Sequence, residues 1–529
     1  MSLAKIDNVG VIGVVEDIAD HTLPPEAWTS SDNVRFSDRR CIRMRGYEEI
    51  FATPSLAPYW MAPVHTPSGV FWAYFGLTAA GAYSASTHAV ITRASGAYTQ
   101  TVNHPWNGGL LGGILVVTNS SDIPQYWATP SLGQLLQNVP SFPASTTCRI
   151  IIPYKQHLFA MNLTESGTDA PHKVLWSDLA DPGSMPGSWD ISDATKDAGE
   201  TELHDVNSAS IMGAKELGDY LYIYKQRSIW RCSPSNNSFI FNFHKVFQDS
   251  QVGLAATHGI AAVPRKNKHL IYTGNDLVLH DGVEMESILT DLRRRTLSTQ
   301  IDPTNYVNSF MVTHSDKQEI WFCYPGVGET YCSNALIYNY ETGVLVDRNI
   351  LTTPFIASDV FDESASSFWT DVSDTWSAVE GTWAGSYAAD FNSRLLLADH
   401  TNTKFFELEV THQEDGSNFT AYVERQGLAL VGQTRAGEPI VDISNYKLLN
   451  RIWIKATGGA ITITAIAQDY IEGPLTYSSV MTFTPGTDRY VDLPTPLQGL
   501  FLGVRFESTA NEAWELMGYD LDLEVLDEF

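Results

Sequence analysis

The chain has 529 residues, of which 43% are hydrophobic and 18% are charged, so it is too long for one ordinary core and too apolar for a disordered protein. Its formal net charge of −28 argues against binding nucleic acid by neutralising phosphates, because few compensating cations are available. The negative charge either only keeps the chain soluble, or it lines a passage through which a polyanion moves without binding to the wall.

The cysteines and the N-terminus indicate where the chain folds. Five cysteines are spread widely and form no CxxC pair, which argues against a disulfide framework or a zinc site. Reduced, mostly buried thiols are expected, as in a protein that folds in a cytoplasm. The short apolar run near the N-terminus has no basic region before it, so no signal peptide is expected. No run approaches the roughly 20 apolar residues of a membrane span.

Residues 1–60 are predicted to form N-terminal strands and a docking segment. Two short strands, NVRF and CIRMRGYEEI, are joined at SDRR. Five arginines of this segment stand out in an acidic chain. They form either a docking strip for an acidic neighbour or a sheet edge that charge keeps soluble. The candidate docking strip comprises Arg35, Arg39, Arg40, Arg43 and Arg45.

Residues 61–410 are predicted to form a β-propeller-like body of six or seven blades. Six hairpin-like segments recur, each with an aromatic, β-branched run, a turn and a second run. Successive starts are between 43 residues (Gly69 to Gly112) and 63 residues (Gln156 to Asp219) apart, a period typical of propeller blades. The segments begin near Gly69, Gly112, Gln156, Asp219, Lys268 and Gln318. The longest interval carries an Asp-, Gly-, Ser- and Pro-rich stretch that is expected to be an inserted loop.

Helix is scarce, and the best candidate is MESILTDLRRRTL, residues 285–297, with an apolar face at Ile288, Leu289 and Leu292. Its triplet Arg293, Arg294 and Arg295 would lie at the C-terminal end of the helix, which favours cations. We take this triplet as a candidate contact cluster.

Tryptophans recur every seven residues in SSFWTDVSDTWSAVEGTW. Trp369, Trp376 and Trp383 form either a candidate aromatic platform for a sugar or a partner, or the core anchors of a twisted hairpin. The following RLLLADHTNTKFFELEV is either a seventh unit or the start of the next domain. Residues 411–529 are predicted to form a C-terminal β-sandwich-like domain, because short strands alternate there with turn residues and leave the hairpin period.

Motifs that carry chemistry are absent from the sequence. It contains no GxSxG, GxxxxGK[ST], GxGxxG or HExxH, nor the DxDxDG spacing of a calcium loop. Propellers can be glycosidases, which need two converging carboxylates. Candidates are Asp181, Asp190, Asp193, Asp197, Asp371 and Asp374, but the repeated SxDxGxTW turns of sialidases are missing. We therefore expect no catalytic residue, no metal site and no cofactor.

The segment WTSSDNVRFSDRRCIRMRGYEEI resembles the opening of tail proteins from short-tailed bacteriophages. The matching positions are Trp28, Asn33 to Phe36, Arg39 to Arg40, and Gly46 to Tyr47. The hairpin NALIYNYETG and the closing strand from Trp514 to Glu524 are similar to that group as well. The chain thus resembles the tail hub or nozzle proteins, which include the packaged-DNA stabilisation proteins.

The resemblance implies a β-propeller body and a homo-hexamer that forms a tube beneath the head-to-tail adaptor and portal complex. It implies that the tube closes the DNA channel in storage, passes double-stranded DNA through its lumen on ejection without specific binding, and carries tail fibres or spikes. The protein would then be a virion tail component that is assembled in the host cytoplasm. The alternatives are a receptor- or carbohydrate-binding propeller of a tail or adhesin, and a glycoside hydrolase.

Overall fold

The computed structural model describes residues 2–526 except 67–68, 85–86, 102–103, 206–208, 236–239, 249–250, 361–392, 435–438 and 472. Nearly all regular structure in this part of the chain is β-strand, which confirms the all-β prediction. Aromatic and β-branched side chains dominate the buried strands, as expected for residues that pack well on pleated faces.

The N-terminal region contributes five strands before the propeller begins. They are β1 Ser2–Asp7, β2 Ser30–Asp32, β3 Val34–Ser37, β4 Arg40–Arg43 and β5 Tyr47–Ile50. A 3₁₀ turn, Asp20–Thr22, lies between the first two.

Six four-stranded antiparallel sheets follow in chain order within the described residues, and we number them as blades 1 to 6. Blade 1 comprises β6 Trp60–Thr66, β7 Gly69–Phe75, β8 Ala80–Ser84 and β9 Thr87–Val90. Blade 2 comprises β10 Asn107–Leu111, β11 Ile114–Thr118, β12 Gln125–Trp127 and β13 Gln137–Asn138. Blade 3 comprises β14 Thr146–Tyr154, β15 His157–Glu165, β16 Thr168–Trp176 and β17 Gly199–Glu202.

The remaining blades repeat the same order of strands. Blade 4 comprises β18 Ile211–Leu217, β19 Tyr220–Lys225, β20 Ile229–Pro234 and β21 Phe241–Val246. Blade 5 comprises β22 Ile260–Val263, β23 Lys268–Tyr272, β24 Leu277–His280 and β25 Met285–Ser287. Blade 6 comprises β26 Phe310–His314, β27 Glu319–Tyr324, β28 Cys332–Asn339 and β29 Leu345–Thr353.

Blade 7 closes the propeller with strands from both parts of the chain. Its strands β30 Ile356–Val360, β31 Ser393–Asp399 and β32 Lys404–Leu408 are completed by β5 from the N-terminal region. Tyr47 pairs with Leu408 and Ile50 pairs with Phe405. RLLLADHTNTKFFELEV is therefore part of a seventh blade. Joining the last blade to an early strand fixes the two ends of the ring to each other.

Every pair of neighbouring blades shares a cluster of buried hydrophobic side chains, including blades 7 and 1. The predicted hairpin segments are the second and third strands of blades 1 to 6. A second strand lies between two others and between two blades, so both of its faces are covered. This is why all residues of β11 and β27 are buried and why their sequences read as continuous apolar runs.

The C-terminal region forms the predicted β-sandwich, which also contains the N-terminal strands β1 to β4. Before it, β33 Gln413–Glu414 and β34 Ser417–Asn418 extend the blade 7 sheet beyond β5, and the pair β36 Leu430–Gln433 and β37 Pro439–Val441 forms a separate small sheet. One sheet holds β1, β3, β4, β38 Lys447–Gly458, β42 Tyr490–Gly499 and β44 Trp514–Val525. The other holds β2, β35 Ala421–Leu428, β39 Ile461–Gln468, β40 Thr476–Tyr477, β41 Met481–Phe483 and β43 Phe501–Ser508. The predicted segment 1–60 is thus divided between the sandwich and blade 7.

One helix, α1 Asp291–Gln300, occurs in the part of the chain that the structure describes, and short 3₁₀ turns lie at Tyr306–Asn308 and Ser315–Lys317. The predicted helix began too early. Met285–Ser287 pair with β24 as the outer strand of blade 5, so the helix starts only after Thr290. None of the described helices is long and apolar enough to cross a membrane.

Candidate interaction sites and the propeller channel

Two of the five arginines of the candidate docking strip are buried, so the strip is not one exposed surface. Arg35, on β3, lies at the junction of the sandwich with the propeller. Its guanidinium forms a two-point ion pair with Glu319 of β27 and donates a 3.1 Å hydrogen bond to Glu409. Both carboxylates are themselves almost fully buried. The three side chains therefore join the sandwich to blades 6 and 7.

Arg348, on β29, completes this junction from blade 6. It pairs with the second oxygen of Glu409, donates to the carbonyl of Arg45, and lies over the Trp321 ring at 4.9 Å. Burial alone would raise the pKa of Glu409, but Arg35 and Arg348 outweigh it and lower that pKa to about 2. A carboxylate between two guanidinium groups stays ionised at any physiological pH, so this junction is structural.

Arg43, on β4, is buried inside the sandwich. It donates to the carbonyls of Ala510, Glu512 and Phe419, and its guanidinium lies 4.6 Å from the centre of the Phe419 ring. Burial lowers its pKa. Together with a fourth hydrogen bond, to the carbonyl of His412, it satisfies four loop carbonyls, a role that no local sequence pattern indicates.

The other three arginines of the strip are exposed at the surface. Arg40, at the start of β4, forms an ion pair with Glu515, near the start of β44, at 2.7 Å. No ion pair is found for Arg39 or Arg45 within the described residues. Of the five arginines in the candidate docking strip, only Arg39, Arg40 and Arg45 are therefore accessible to an acidic neighbour.

The triplet Arg293 to Arg295 lies in the first half of α1 and not at its C-terminal end, where the prediction placed it. Arg293 pairs with Glu16 and Asp347, and Arg294 pairs with Asp276 and Asp291. These carboxylates offset the unfavourable position of cations near the start of a helix. Only Arg295 is exposed, so the triplet is mainly an intramolecular contact.

The predicted aromatic platform, Trp369, Trp376 and Trp383, lies outside the described residues, as do Asp371 and Asp374. The inserted loop of blade 3 is described, and its carboxylates cap their own turns. Asp190 accepts from Ser192 and Asp193 from Thr195, and these hydrogen bonds lower both pKa values. Glycosidase general acids need a raised pKa, so these two aspartates are suited to turn capping.

The five cysteines and a cluster of Tyr224, His269 and His280 are buried. All five cysteines are free and buried, and burial raises the pKa of each thiol, to about 12 for Cys148. Tyr224 contacts His269 and His280 at 2.6 and 2.8 Å, and burial lowers the pKa of His280 to about 4. No group of three or more His, Cys, Asp or Glu side chains that could hold a metal ion occurs in the described part of the chain.

The propeller has an axial cavity of about 620 Å³. The first strands of blades 1, 4, 5, 6 and 7 line it, because the first strand of each blade is the innermost. Its wall combines apolar residues, among them Met61, Ile260 and Met311, with polar ones that include Lys215 and Asp316. The cavity was not predicted from the sequence. The signal that was available is weak, because β18 carries Glu216 directly after Lys215.

No protein-family profile matches this chain, and no curated protein matches its sequence. Among solved structures it is similar to PorZ, described as a bacterial surface component of the type-IX secretion system of Porphyromonas gingivalis, with a TM-score of 0.36 and 9% identity. That match covers 82% of this chain and 46% of PorZ, so the chain spans about half of that protein. It is also similar to the AfRom2 CNH domain, with a TM-score of 0.36, 9% identity and coverage of 68% of this chain and 97% of that one.

Proposed function

We propose that the chain is a structural virion protein, the nozzle or hub of a short bacteriophage tail. The observation that carries the proposal is that the motifs resembling tail proteins, which come from opposite ends of the sequence, meet in one sheet. NVRF lies on β3, its partner strand β4 pairs with β44 at Cys41–Leu516 and Ile42–Glu515, and β44 carries the closing motif. The opening motif and the closing motif that resemble the phage proteins therefore lie in one sheet, whereas NALIYNYETG lies in blade 6.

The organisation of the chain supports a mechanical role. A propeller specifies no chemistry by itself, and function on such a scaffold depends on what its surfaces contact. Ring closure through β5 and the buried junction at Arg35 join the propeller and the sandwich into a stiff body. A stiff protomer suits a ring of six copies with cyclic symmetry.

The net charge of −28 supports the proposed passage of DNA. Acidic side chains that face a lumen repel the phosphate backbone and remove the attractive wells that would slow a sliding polyanion. In the proposed mechanism, loops on the protomers constrict the tube until infection, and DNA then passes without specific binding.

The experiment is to mix the purified chain with the portal–adaptor complex of the same virus and to measure the mass of the product. The proposal predicts that six copies bind to each adaptor ring, whereas the chain alone stays monomeric or assembles incompletely. Absence of binding to the portal–adaptor complex, together with affinity for a glycan array, would favour the receptor-binding alternative.

A further inference from the structure

A polar pocket of about 380 Å³ lies where the sandwich, blade 6 and α1 meet, and we call it the junction pocket. The sandwich strand β2 contributes Ser31 and Asp32 to its wall, and α1 contributes Arg293 and Gln300. Strand β29 of blade 6 contributes residues 347–349. The volume is within the ordinary range for small-molecule sites. Three parts of the chain that are distant in sequence thus surround one space.

The wall of the junction pocket contains hydrogen-bonding groups without partners. Arg348 is 3% exposed, and its two terminal nitrogens bind Glu409 and the carbonyl of Arg45. Its buried Nε, however, has no hydrogen-bond partner among the described residues, and neither has the buried hydroxyl of Ser31. Buried polar groups in folded proteins are almost always paired. Two unpaired donors on one pocket wall therefore indicate an occupant that accepts hydrogen bonds.

Asp32 adds an acceptor to the same wall. No ion pair is found for its carboxylate in the described part of the chain. The amide of Asn349 donates to it at 3.5 Å, which is at the limit of a hydrogen bond. Burial raises the pKa of Asp32 to about 6, and the nearby Arg348 offsets this only in part. The carboxylate can therefore accept hydrogen bonds from an occupant of the pocket.

The charges around the junction pocket disfavour an ion as its occupant. The other two carboxylates, Glu16 and Asp347, both pair with Arg293. With Asp32 they place three negative charges around the pocket, which repel an anion, while Arg293 and Arg348 repel a cation. A neutral ligand that both donates and accepts hydrogen bonds meets these conditions best.

Two tyrosines add ring surfaces to the polar wall. The hydroxyl of Tyr324 donates to Gln300 at 3.0 Å, and the hydroxyl of Tyr422 contacts that of Ser30 at 3.1 Å. One face of the Tyr422 ring is covered by the guanidinium of Arg505 at 3.8 Å, so at most its other face is available to a ligand. A ring surface beside hydrogen-bonding groups suits a sugar, whose C–H groups pack on the ring while its hydroxyls bind the polar groups.

We propose that the junction pocket binds a neutral saccharide, whose hydroxyls accept from Arg348 and Ser31 and donate to Asp32. This inference does not rest on the proposed nozzle role, and either can fail without the other. It assigns the sugar to residues other than the predicted aromatic platform.

The test uses the full chain with D-glucose and D-galactose, each compared with its uronic acid and its 2-amino sugar, and with cyclohexanol. Binding is measured by saturation-transfer NMR. At least one neutral sugar should bind, its two charged analogues should bind more weakly, and cyclohexanol, which has one hydroxyl, should not bind. Absence of binding by both neutral sugars would overturn the proposal and assign the unpaired donors to water. Binding of a charged analogue or of cyclohexanol as tightly as the neutral sugar would overturn it too.

Two variants locate the binding. Asp32→Asn should weaken sugar binding about tenfold or more, as expected for a hydrogen bond to a charged group, and Ser31→Ala should weaken it severalfold. Asp316→Asn, which changes an exposed carboxylate on the turn after β26, should leave binding unchanged. Sugar binding that survives both Asp32→Asn and Ser31→Ala would overturn the proposal.

The unfolding temperature separates loss of the site from loss of the fold. Neither Asp32→Asn nor Ser31→Ala removes an ion pair, so both variants should unfold close to the wild-type temperature without sugar. If either unfolds much earlier, Asn349→Ala tests the same wall, because Asn349 lines the pocket at an exposed position. It should weaken binding severalfold, and unchanged binding by this folded variant would contradict the assigned site.

Discussion

Arg35 of the sandwich holds Glu319 of blade 6 through two parallel N–H to carboxylate contacts, and both side chains are almost fully buried. This pair joins β3, a strand near the N-terminus, to β27, the second strand of blade 6. Glu319 also accepts from the indole nitrogen of Trp321 at 3.1 Å. The arrangement fixes the sandwich against blade 6 through a satisfied polar network, which is costly to break from one side.

Removing one partner of this network should strongly destabilise the chain. Arg35→Ala leaves Glu319 and Glu409 short of a cation, and we expect a loss of about 3–5 kcal/mol in the free energy of unfolding. Arg40→Ala, which breaks the exposed pair with Glu515, should cost less than about 1 kcal/mol. Chemical denaturation measures both, and equal losses would contradict the assigned role of Arg35.

Acid should weaken the same junction. The pKa of Glu409 is lowered from 4.5 to about 2 in the folded chain, so its contribution is present above about pH 4.5 and is lost as the pH falls towards 2. Glu409→Gln cannot titrate. Urea denaturation from pH 7 to pH 3 should show the stability of the wild type approaching that of Glu409→Gln as the pH falls. A difference that stays constant over this range would argue against the depressed pKa.

Ring closure should depend on the cluster between blades 7 and 1. Phe405 is 2% exposed and packs edge-on against Tyr74 and Tyr83. Phe405→Ala should cost about 3–5 kcal/mol and lower the hydrogen-exchange protection of β31 and β6. The exposed Tyr477→Ala should stay within about 0.5 kcal/mol of the wild type. Unchanged protection in β31 and β6 would contradict the role of this cluster.

The five cysteines should react slowly in the folded chain. Each thiol is buried and its pKa is raised, so little thiolate forms at neutral pH. Alkylation by iodoacetamide at pH 7, followed by mass spectrometry, should leave all five free in buffer and modify all five in denaturant. Rapid modification of any one in buffer would show that its surroundings open readily.

The propeller could be predicted because its second strands carry the signal. Strands such as β11 and β27 are covered on both faces, so their sequences are apolar runs. One such run occurs in each blade, so the runs repeat along the sequence at the length of a blade. Some outer strands are very short and polar, as in β13 (Gln137–Asn138), and these give no local pattern. The closing strand β5 could not be assigned, because its partner Phe405 lies in a distant part of the sequence.

The sites were harder to predict than the fold. Arg35 and Arg43 look like surface charges in the sequence, because their acceptors, Glu319 and the carbonyl of Ala510, are far away along the chain. The triplet at Arg293 was placed at the wrong end of the helix, because pairing of Met285–Ser287 with β24 overrides the helical pattern. Lys215 was missed, because only ring closure places the first strands around one axis.

We propose that six copies of this chain form the end of a short phage tail. The most direct measurement is a sixfold-averaged cryo-electron microscopy reconstruction of virus particles that contain it. We expect six seven-bladed propellers, each with its sandwich, around the DNA channel below the adaptor ring. Propeller density only on peripheral fibres, or no density for this chain in the particle, would contradict it.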